Sequence, residues 1–377
     1  MIRQWFSRLA PVHVARSAEE REAVFRFRYQ VVEEEGYRAV PHGLDRERRR
    51  LFDDEDLLEE TRILHTGRSP EVTGTVRLRV WQAGEVPEGV IATYSLERYP
   101  ELATMRVAEV GRFLIRPSLR GTLLLPSLAG ELYSQLLGED GADLFVTCVH
   151  PEQVPAYRRL GFRTYGGRLV DVGDGVAVPM LGVPTDVDYL KKVESPLFSM
   201  VRERLEGGKE PKRGKEAARV AANAAQELSI DPNDVWQELQ EGFLAHAQSR
   251  PAIFEGLGDE WVRYLGDNGF IIDVGDGLTI TREGAGEREI YVILEGTFEA
   301  TIKGQRVAVM GKGDTFGELA FFRQSGTRVA TVTSRGPGRL LVLGRSFLDD
   351  LMHKEPELSA AVMFNLARLM AERLPHC

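Results

Sequence analysis

The sequence predicts an α+β protein of two domains joined by a helical connector. First, the chain has 377 residues, more than a single hydrophobic core usually serves. Second, strand-like and helix-like patterns alternate in its first half, whereas short strand-like runs broken by glycine fill its last third. Third, an alanine-rich stretch of high helix propensity separates these two regions. We therefore expect an N-terminal mixed sheet with flanking helices and a C-terminal β-roll (jelly roll) that ends in a helix.

Bulk composition narrows the classes of function. Hydrophobic residues make up 43% and charged residues 28% of the chain, as in ordinary globular proteins. The net charge of −9 argues against nucleic acid as a main partner. The two cysteines are too few for a disulfide framework or a zinc cluster, so we predict no metal site. The first residues contain no apolar run that could cross a bilayer, and we expect a soluble cytoplasmic protein without an integral membrane segment.

Residues 1–198 contain the patterns of the predicted mixed sheet. Three runs read as strands, and two longer amphipathic runs read as helices. The strands are GTVRLRVW (74–81), VAEVGRFLI (107–115) and ADLFVTCV (142–149), and the helices are SAEEREAVFRFRYQVV (17–32) and LLLPSLAGELYSQLL (123–137).

Residues 199–257 form the predicted connector, which starts with a hinge rich in Gly, Pro and Lys at 206–214 and continues as an alanine-rich helix. In residues 258–377, strand-like runs such as GFIIDVG, IYVILEG and GRLLVLG recur at short spacing, which favours a small barrel or sandwich. The last helix, from Pro356, places Val362, Leu366, Leu369 and Met370 on one stripe. Only three residues follow Leu374, so we expect no helix-turn-helix after it. A signal from this region would then act on the N-terminal domain or on a partner subunit, and a homodimer stays open.

The stretch FGELAFFRQSGTRVATV (316–332) has the groups that a cyclic nucleotide requires. Gly317 exposes backbone N–H groups, Glu318 can accept from a sugar hydroxyl, and the guanidinium of Arg328 suits a phosphate. The region from about Gly258 to Leu374 resembles the cyclic-nucleotide-binding domain of catabolite activator proteins and kinase regulatory subunits. GDTFGELAFF is similar to the family's phosphate cassette and IYVILEG to its signature strand.

This resemblance implies an effector, cAMP or cGMP, and a role for each residue. Glu318 would accept from the ribose 2′-hydroxyl, and Arg328 would hold the cyclic phosphate with the amides near Leu319. Val329 stands where many members carry Ala or Ser, and its amide would still donate. The alternative is a fold that has lost its ligand, with Arg328 kept as an ion-pair partner.

In the first half, the Arg120-Gly121 turn between a strand and a helix can present N–H groups to pyrophosphate or phosphopantetheine. With FVTCVHPEQVPAYRRLGF following, this order is similar to the GNAT acyltransferases. The resemblance implies contacts with the acyl donor from Phe113, Leu114, Ile115, Arg120, Gly121 and Thr122. The sequence has Leu123-Leu124 where many acetyl-CoA enzymes carry a further glycine.

A closer pattern covers residues 20–196 and resembles the acyl-homoserine-lactone synthases and N-acyl amino acid synthases. It consists of Phe25-x-x-Arg28, FDDED (52–56), GTVRL (74–78) and Glu109-x-x-Arg112-Phe113. Such enzymes move an acyl chain, usually from acyl carrier protein, to a small amine.

Aminolysis of a thioester gives these residues roles. Glu109 could serve as general base, and a bulged strand after it could expose N–H donors to the oxyanion, with Gly111 as the bulge residue. The bulge would bring Arg112 to the side of Glu109. Arg28, Asp53, Asp56, Arg77 and Arg112 could then form a buried ionic network around the acceptor. Tyr157 stands where GNAT enzymes often place the acid for the leaving thiolate. In the simpler alternative, FDDED is an acidic helix start and Arg28 a solvated helix residue.

We therefore predict an N-acyltransferase regulated by a cyclic nucleotide, with acyl-CoA or acyl-ACP as donor and a small amine, such as an amino acid, as acceptor. Two alternatives stay open. One is a protein lysine acetyltransferase under the same control, and the other is a non-catalytic sensor or scaffold.

Overall fold

The computed structural model describes residues 10–35, 43–165, 169–172, 175–207, 213–226, 239, 250–286, 289–323 and 326–373. The chain divides into two compact units. The first holds most of the residues up to Leu228. The second starts at Ser229 and also includes the short segments His150–Gln153 and Arg168–Ala177.

A mixed sheet is the centre of the first unit, as predicted. Its strand order is β1-β4-β5-β6-β7-β10-β8. The strand β9 pairs with Val176 and Ala177 at the start of β10, inside the segment that belongs to the second unit. The pair β6–β7 is parallel, whereas the other pairs are antiparallel. A separate ribbon joins β2 and β3. The strands are β1 Val12–Val14, β2 Leu44–Asp45, β3 Arg50–Leu51, β4 Arg62–Arg68, β5 Glu71–Trp81, β6 Val107–Ile115, β7 Leu144–Val149, β8 Phe162–Thr164, β9 Val170–Asp171 and β10 Val176–Gly182.

Two long helices cover the sheet where the sequence predicts them. A capping box starts the first, because Ser17 and Glu20 each accept from the other's backbone N–H. The second contacts Gly74, where a Cβ would lie 2.9 Å from Leu128. The helices are α1 Ala18–Glu35, α2 Glu88–Thr93, α3 Leu124–Leu136, α4 Val154–Arg159, α5 Val187–Lys192, α6 Phe198–Glu206 and α7 Gly214–Gln226. Short 3-10 turns lie at Asp54–Leu57, Leu96–Arg98, Pro100–Thr104, Pro117–Leu119 and Pro151–Gln153.

One hydrophobic cluster of the first unit combines sheet, turns and α7. It contains Val107 of β6, Val146 of β7 and three tyrosines, Tyr94, Tyr99 and Tyr165, all buried. We name it the Tyr94 cluster. The alanine-rich helix α7 belongs to it through Ala217, Val220, Ala221 and Ala224. The predicted helical stretch is therefore packed on the sheet domain by its apolar face.

The second unit is a β-roll of two four-stranded sheets, as the repeated short strands predict. In its described residues, one helix precedes the strands, one lies between them and two follow them. The sheet orders are β11-β18-β13-β16 and β12-β17-β14-β15. Its strands are β11 Phe270–Val274, β12 Thr279–Thr281, β13 Ile290–Glu295, β14 Phe298–Ile302, β15 Gln305–Met310, β16 Thr315–Phe316, β17 Thr331–Ser334 and β18 Gly338–Leu343. Its helices are α8 Asp259–Asn268, α9 Glu318–Phe322, α10 Arg345–Lys354 and α11 Pro356–Arg373. Val362 and Leu366 of α11 are buried in the core of this unit.

Within the described residues, no helix has both the length and the apolar character needed to cross a bilayer.

Candidate functional sites

The strand β6 carries the predicted bulge, but its position differs from the prediction. Thr75 of β5 pairs with Leu114, and Arg77 pairs with Gly111, so Arg112 and Phe113 together oppose one residue. The backbone φ of Arg112 is 53°, in the left-handed region. Gly111 was the wrong choice for the bulge residue, because Arg112 takes the unusual conformation despite its side chain. The strain of a non-glycine residue in that region is about 1–2 kcal/mol.

The bulged strand lies beside an ionic network that joins all five predicted residues. Asp53 accepts from Arg77 over 2.6 Å through Oδ1 and from Arg112 over 2.7 Å through Oδ2. Asp56 pairs with Arg28 over 2.9 Å, and both side chains are fully buried. The alternative of a solvated Arg28 is therefore wrong. A capping box between Asp53 and Asp56 also starts the 3-10 turn, so the acidic run serves as a helix start and as part of the network.

Two members of the network were missing from the sequence analysis. Glu55 lies 2.9 Å from Nη2 of Arg77 and 2.6 Å from Nη1 of Arg79. Arg79 also stacks over Trp81, with its guanidinium carbon 4.8 Å from the ring centroid. The pattern Arg77-x-Arg79 on one strand could have identified Arg79, since residues two apart share a face of the sheet.

Burial and neighbouring charges together determine the pKa values of these groups. Burial alone would raise the pKa of Asp53, but the hydrogen bond from Arg112 and the charge of Arg77 hold it well below its usual range. Burial lowers the pKa of Arg28 to about 10, although Asp56 opposes that effect. Asp53 is therefore an anion at neutral pH and a fixed partner of Arg112.

Glu109 is the carboxylate whose pKa is displaced in the opposite direction. Burial raises it, and the charge of Arg77 and a hydrogen bond from Tyr94 only partly offset that effect. The hydroxyl of Tyr94 donates to Oε1 of Glu109 over 2.9 Å. Tyr94 was missed by the sequence analysis, since a tyrosine between two strands gives no motif. Cys148 belongs to the same cluster, and burial, with the charge of Glu109, raises the pKa of its thiol to about 12. That raised pKa disfavours the thiolate and hence reactivity.

The residues predicted to contact the acyl donor begin where β6 separates from β7. Pairing with β7 runs from Val107 to Glu109, whereas β6 itself extends to Ile115. Phe113 lies edge-on to Tyr157 of α4, with 6.3 Å between the ring centroids. Leu114 and Ile115 pair with β5. Tyr157 therefore stands next to the diverging part of β6. Burial raises the pKa of its phenol.

The Arg120-Gly121 turn lies between the 3-10 turn at Pro117–Leu119 and α3. Gly121 has φ of 79°, and a Cβ at this position would meet no atom within 4 Å. The hydroxyl of Thr122 donates to the carbonyl of Leu119 over 2.6 Å. Leu123 is the N-cap of α3 and makes no side-chain capping bond. The turn is open on its outer side, in keeping with an approach of the backbone to a ligand.

In the second unit, Gly317, Glu318 and Arg328 come together at the start of α9. Gly317 has φ of 91°, and a Cβ there would lie 2.5 Å from the carbonyl oxygen of Glu289 and 2.6 Å from Nη1 of Arg328. Only glycine fits this position. Glu318 is 1% exposed and Arg328 is 3% exposed. Leu319, whose amide is a predicted phosphate donor, is 38% exposed, and Val329 is half-buried.

Arg328 has an internal carboxylate partner in this arrangement. Its Nη2 donates to Oε2 of Glu289 over 2.6 Å, and its Nη1 donates to the carbonyl of Glu289 over 2.7 Å. Glu289 is fully buried. The guanidinium also lies over Tyr291, 5.5 Å from the ring centroid. The charge of Arg328 is therefore balanced within the fold.

Glu318 is also engaged by another side chain. Arg373, in the last turn of α11, lies 2.6 Å from Oε1 of Glu318 and donates to the carbonyl of Thr315. The Arg373 side chain is 35% exposed, whereas that of Glu318 is 2% exposed. Sequence reasoning missed both Glu289 and Arg373, because each is distant from the cassette along the chain.

Several solved structures resemble part of the chain. A putative cyclic nucleotide-binding protein from Geobacter metallireducens is 20% identical, with 33% of this chain and 92% of that chain covered and a TM-score of 0.30. A cyclic nucleotide-binding domain from Methylobacillus flagellatus is 23% identical over 37% of this chain and 78% of that chain, with a TM-score of 0.32. The N-terminal domain of a transcriptional regulator from Streptomyces coelicolor is 28% identical over 33% and 93%, with a TM-score of 0.30.

Two family models also match the sequence. Residues 23–183 match the N-acyl amino acid synthase FeeM, and residues 272–355 match the cyclic nucleotide-binding domain. The first match spans α1 to β10 and includes the whole ionic network, Glu109 and Tyr94. The second spans both sheets of the β-roll with Glu289, Glu318 and Arg328. The chain thus joins an N-acyltransferase domain of the FeeM family of N-acyl amino acid synthases to a cyclic nucleotide-binding domain.

Proposed function

We propose that this chain transfers an acyl group from a thioester donor, acyl-ACP or acyl-CoA, to the amine of a small acceptor such as an amino acid, under the control of cAMP or cGMP. One observation carries the proposal. The carboxylate of Glu109, whose side chain is 15% exposed, has a raised pKa and stands on β6 where pairing with β7 ends. A carboxylate with a raised pKa is better suited than an ordinary one to accept a proton from an attacking amine.

The reaction follows from this placement. The acceptor nitrogen attacks the thioester carbonyl carbon while Glu109 takes its proton, directly or through a water molecule. Backbone N–H groups of the bulge at Arg112 and Phe113 would stabilise the oxyanion. The C–S bond then breaks, and the phenol of Tyr157, our candidate donor, protonates the leaving thiolate. Proton exchange with solvent then restores the phenol of Tyr157 and the carboxylate of Glu109. The products are an N-acyl amine and a free thiol.

The ionic network would form the rigid wall of the acceptor pocket. Its four guanidinium groups, on Arg28, Arg77, Arg79 and Arg112, face four carboxylates, on Asp53, Glu55, Asp56 and Glu109. Glu55 is the most exposed carboxylate, with 43% of its side chain accessible, and it contacts both Arg77 and Arg79. The carboxylate of an amino acid acceptor could replace Glu55 there, since arginine binds carboxylates in a bidentate manner.

For the effector, Arg328 and Glu318 are the proposed anchors of phosphate and ribose. Each now contacts a residue of the same unit, Glu289 or Arg373, so the nucleotide would compete with internal ion pairs. Inside the first unit, α7 packs on the Tyr94 cluster. We propose that nucleotide binding changes the packing of α7 and with it the surroundings of Glu109. Such control requires that the nucleotide bind the two states of the chain with different affinity.

The test uses the purified full chain with acyl-ACP or acyl-CoA donors and a mixture of amino acids, with and without cAMP. We expect thiol release together with a new N-acyl amine in the mass spectrum. Glu109→Gln should reduce the rate by at least about a hundredfold, whereas Glu101→Gln, at an exposed position, is the matched control. Acylation of a protein lysine instead would contradict the small acceptor. No transfer with any donor would favour a non-catalytic sensor.

A further inference from the structure

The tyrosine that contacts Glu109 belongs to a segment between β5 and β6 rather than to the sheet itself. Tyr94 is the C-cap of the short helix α2, and 4% of its surface is exposed. Its hydroxyl donates to Oε1 of Glu109 over 2.9 Å. The other oxygen, Oε2, lies 3.9 Å from Arg77 and 3.8 Å from Arg79, too far for a hydrogen bond, and it has no hydrogen-bond partner among the described residues.

Tyr94 is itself held in place from two directions. Its backbone carbonyl accepts from the hydroxyl of Tyr165 over 2.5 Å. Arg213, at the start of α7, donates to the side chain of Thr104 over 2.9 Å and so joins α7 to the 3-10 turn at Pro100–Thr104. The Tyr94 ring is packed in the cluster that α7 completes. The position of the hydroxyl is therefore determined by packing and not by the hydrogen bond alone.

We propose that Tyr94 is a positioning residue that binds Oε1 of Glu109 and so presents Oε2 to the proton of the acceptor amine. This inference rests on the proposed acyltransferase function, since it concerns the same base. A carboxylate with one oxygen bound by a donor has a fixed orientation, whereas a carboxylate without that bond can rotate about its last torsion. Such orientation keeps the base within reach of the proton.

The charges around Glu109 predict how this bond affects its titration. Arg77 and Arg79 face it from β5, Glu55 from the acidic 3-10 turn, Tyr94 from α2, and Cys148 from β7. Burial raises the pKa of Glu109, while Arg77 and the Tyr94 hydroxyl lower it. Removing the hydroxyl deletes a bond that favours the ionised form. The pKa of Glu109 then rises further, and less of the base is ionised at neutral pH.

The variant Tyr94→Phe tests the proposal, because it removes the hydroxyl and keeps the aromatic ring. Its matched control is Tyr133→Phe. Tyr133, on α3, is also a buried tyrosine, and its hydroxyl donates to the carbonyl of Leu160 over 2.8 Å. Both variants remove the hydroxyl of a buried tyrosine, and circular dichroism checks that both fold. Only Tyr94→Phe should change the behaviour of Glu109.

Two readouts separate this inference from the function on which it rests. The first is the pH profile of thiol release from acyl-ACP or acyl-CoA with the amino acid mixture, where Tyr94→Phe should move the acid limb to higher pH and lower the rate at neutral pH by about tenfold. The second needs no turnover. It follows the infrared band of the protonated carboxyl group that disappears in Glu109→Gln, and its midpoint should rise in Tyr94→Phe.

The outcomes are distinguishable. A raised infrared midpoint without any acyl transfer would support the link between Tyr94 and Glu109 and contradict the proposed function. An unchanged midpoint and an unchanged acid limb in a folded Tyr94→Phe protein would overturn the inference. An equal shift in Tyr133→Phe would also overturn it, because the effect would then reflect a general loosening of the domain.

Discussion

Arg112 donates to Asp53 over 2.7 Å from a backbone φ of 53°, so an ion pair and a strained residue occur at the same position. The charge-assisted bond lowers the pKa of Asp53 and offsets the backbone strain, which is about 1–2 kcal/mol. A regular strand would direct the side chain at this position to the opposite face from Glu109. The bulge therefore connects Arg112 to the network that surrounds Glu109.

Two substitutions of Arg112 separate the strain from the ion pair. Both Arg112→Ala and Arg112→Gly remove the guanidinium, but glycine adopts positive φ without strain. We expect both to lower the urea midpoint, with the glycine variant more stable than the alanine variant by about 1 kcal/mol. Urea unfolding followed by circular dichroism measures the difference. Equal stability of the two variants would show that the strain at this position is negligible.

The buried pair of Arg28 and Asp56 gives a larger effect. Asp56→Asn leaves the fully buried guanidinium of Arg28 without its carboxylate, which typically costs about 3–5 kcal/mol. The same kind of change at Glu22, whose partly exposed side chain pairs with Arg26 and Arg50, should cost less, about 1 kcal/mol. Urea unfolding of Asp56→Asn and Glu22→Gln gives the comparison. Similar midpoints for the two would contradict the assignment of Asp56 as a structural anion.

The ionic network could be predicted from the sequence, whereas the position of the bulge could not. The order of FDDED, GTVRL and Glu109-x-x-Arg112 along the chain resembles that of the acyl-homoserine-lactone and N-acyl amino acid synthases. That resemblance, together with an assumed bulge after Glu109, was enough to predict the network. Gly111 was a reasonable choice for the bulge, since glycine tolerates positive φ, and only the register of β5 and β6 identifies Arg112. A propensity argument cannot foresee strain that an ion pair offsets.

Contacts between segments that are distant along the chain could not be predicted from the sequence. Tyr94 meets Glu109 because the segment from α2 to the 3-10 turn at Pro100–Thr104 folds over the sheet, and no periodic pattern encodes that return. Glu289 and Arg373 are likewise 39 and 55 residues from their partners along the chain. The cassette motif predicts the two anchors and leaves their internal partners undetermined.

We expect the stability of the first unit to depend on pH because the pKa of His65 is lowered in the fold. It is 2% exposed and lies across the strand pair from His13, and burial together with the charge of His13 lowers its pKa below 6.5. The unfolded chain therefore binds the proton at higher pH than the folded chain, and stability falls as the pH drops below about 6.5. Glu20 raises the pKa of His65 and limits this loss. Urea midpoints between about pH 8 and pH 5 should fall less in His65→Asn than in wild type.

Glu289→Gln tests the internal partner of Arg328. The substitution leaves a buried guanidinium without its carboxylate, so the ligand-free second unit should be destabilised by about 3 kcal/mol or more. A cyclic phosphate would restore the missing charge. We expect cAMP or cGMP to raise the melting temperature of Glu289→Gln more than that of wild type. Equal ligand-induced shifts would show that Glu289 does not compete with the phosphate.

Arg373 binds the carboxylate of Glu318, to which we assign the ribose contact, so its removal should affect nucleotide binding. Arg373→Ala frees Glu318 from a half-exposed ion pair, and cAMP or cGMP should then bind about tenfold more tightly, as a difference near 1.4 kcal/mol implies. The matched control is Arg368→Ala on the same helix, where the lost partner is Glu255, outside the cassette. Calorimetric titration of wild type, both variants and Arg328→Ala gives the comparison. Weaker binding by Arg373→Ala alone would mean that Arg373 contacts the nucleotide, and loss of binding in Arg328→Ala would identify the phosphate anchor.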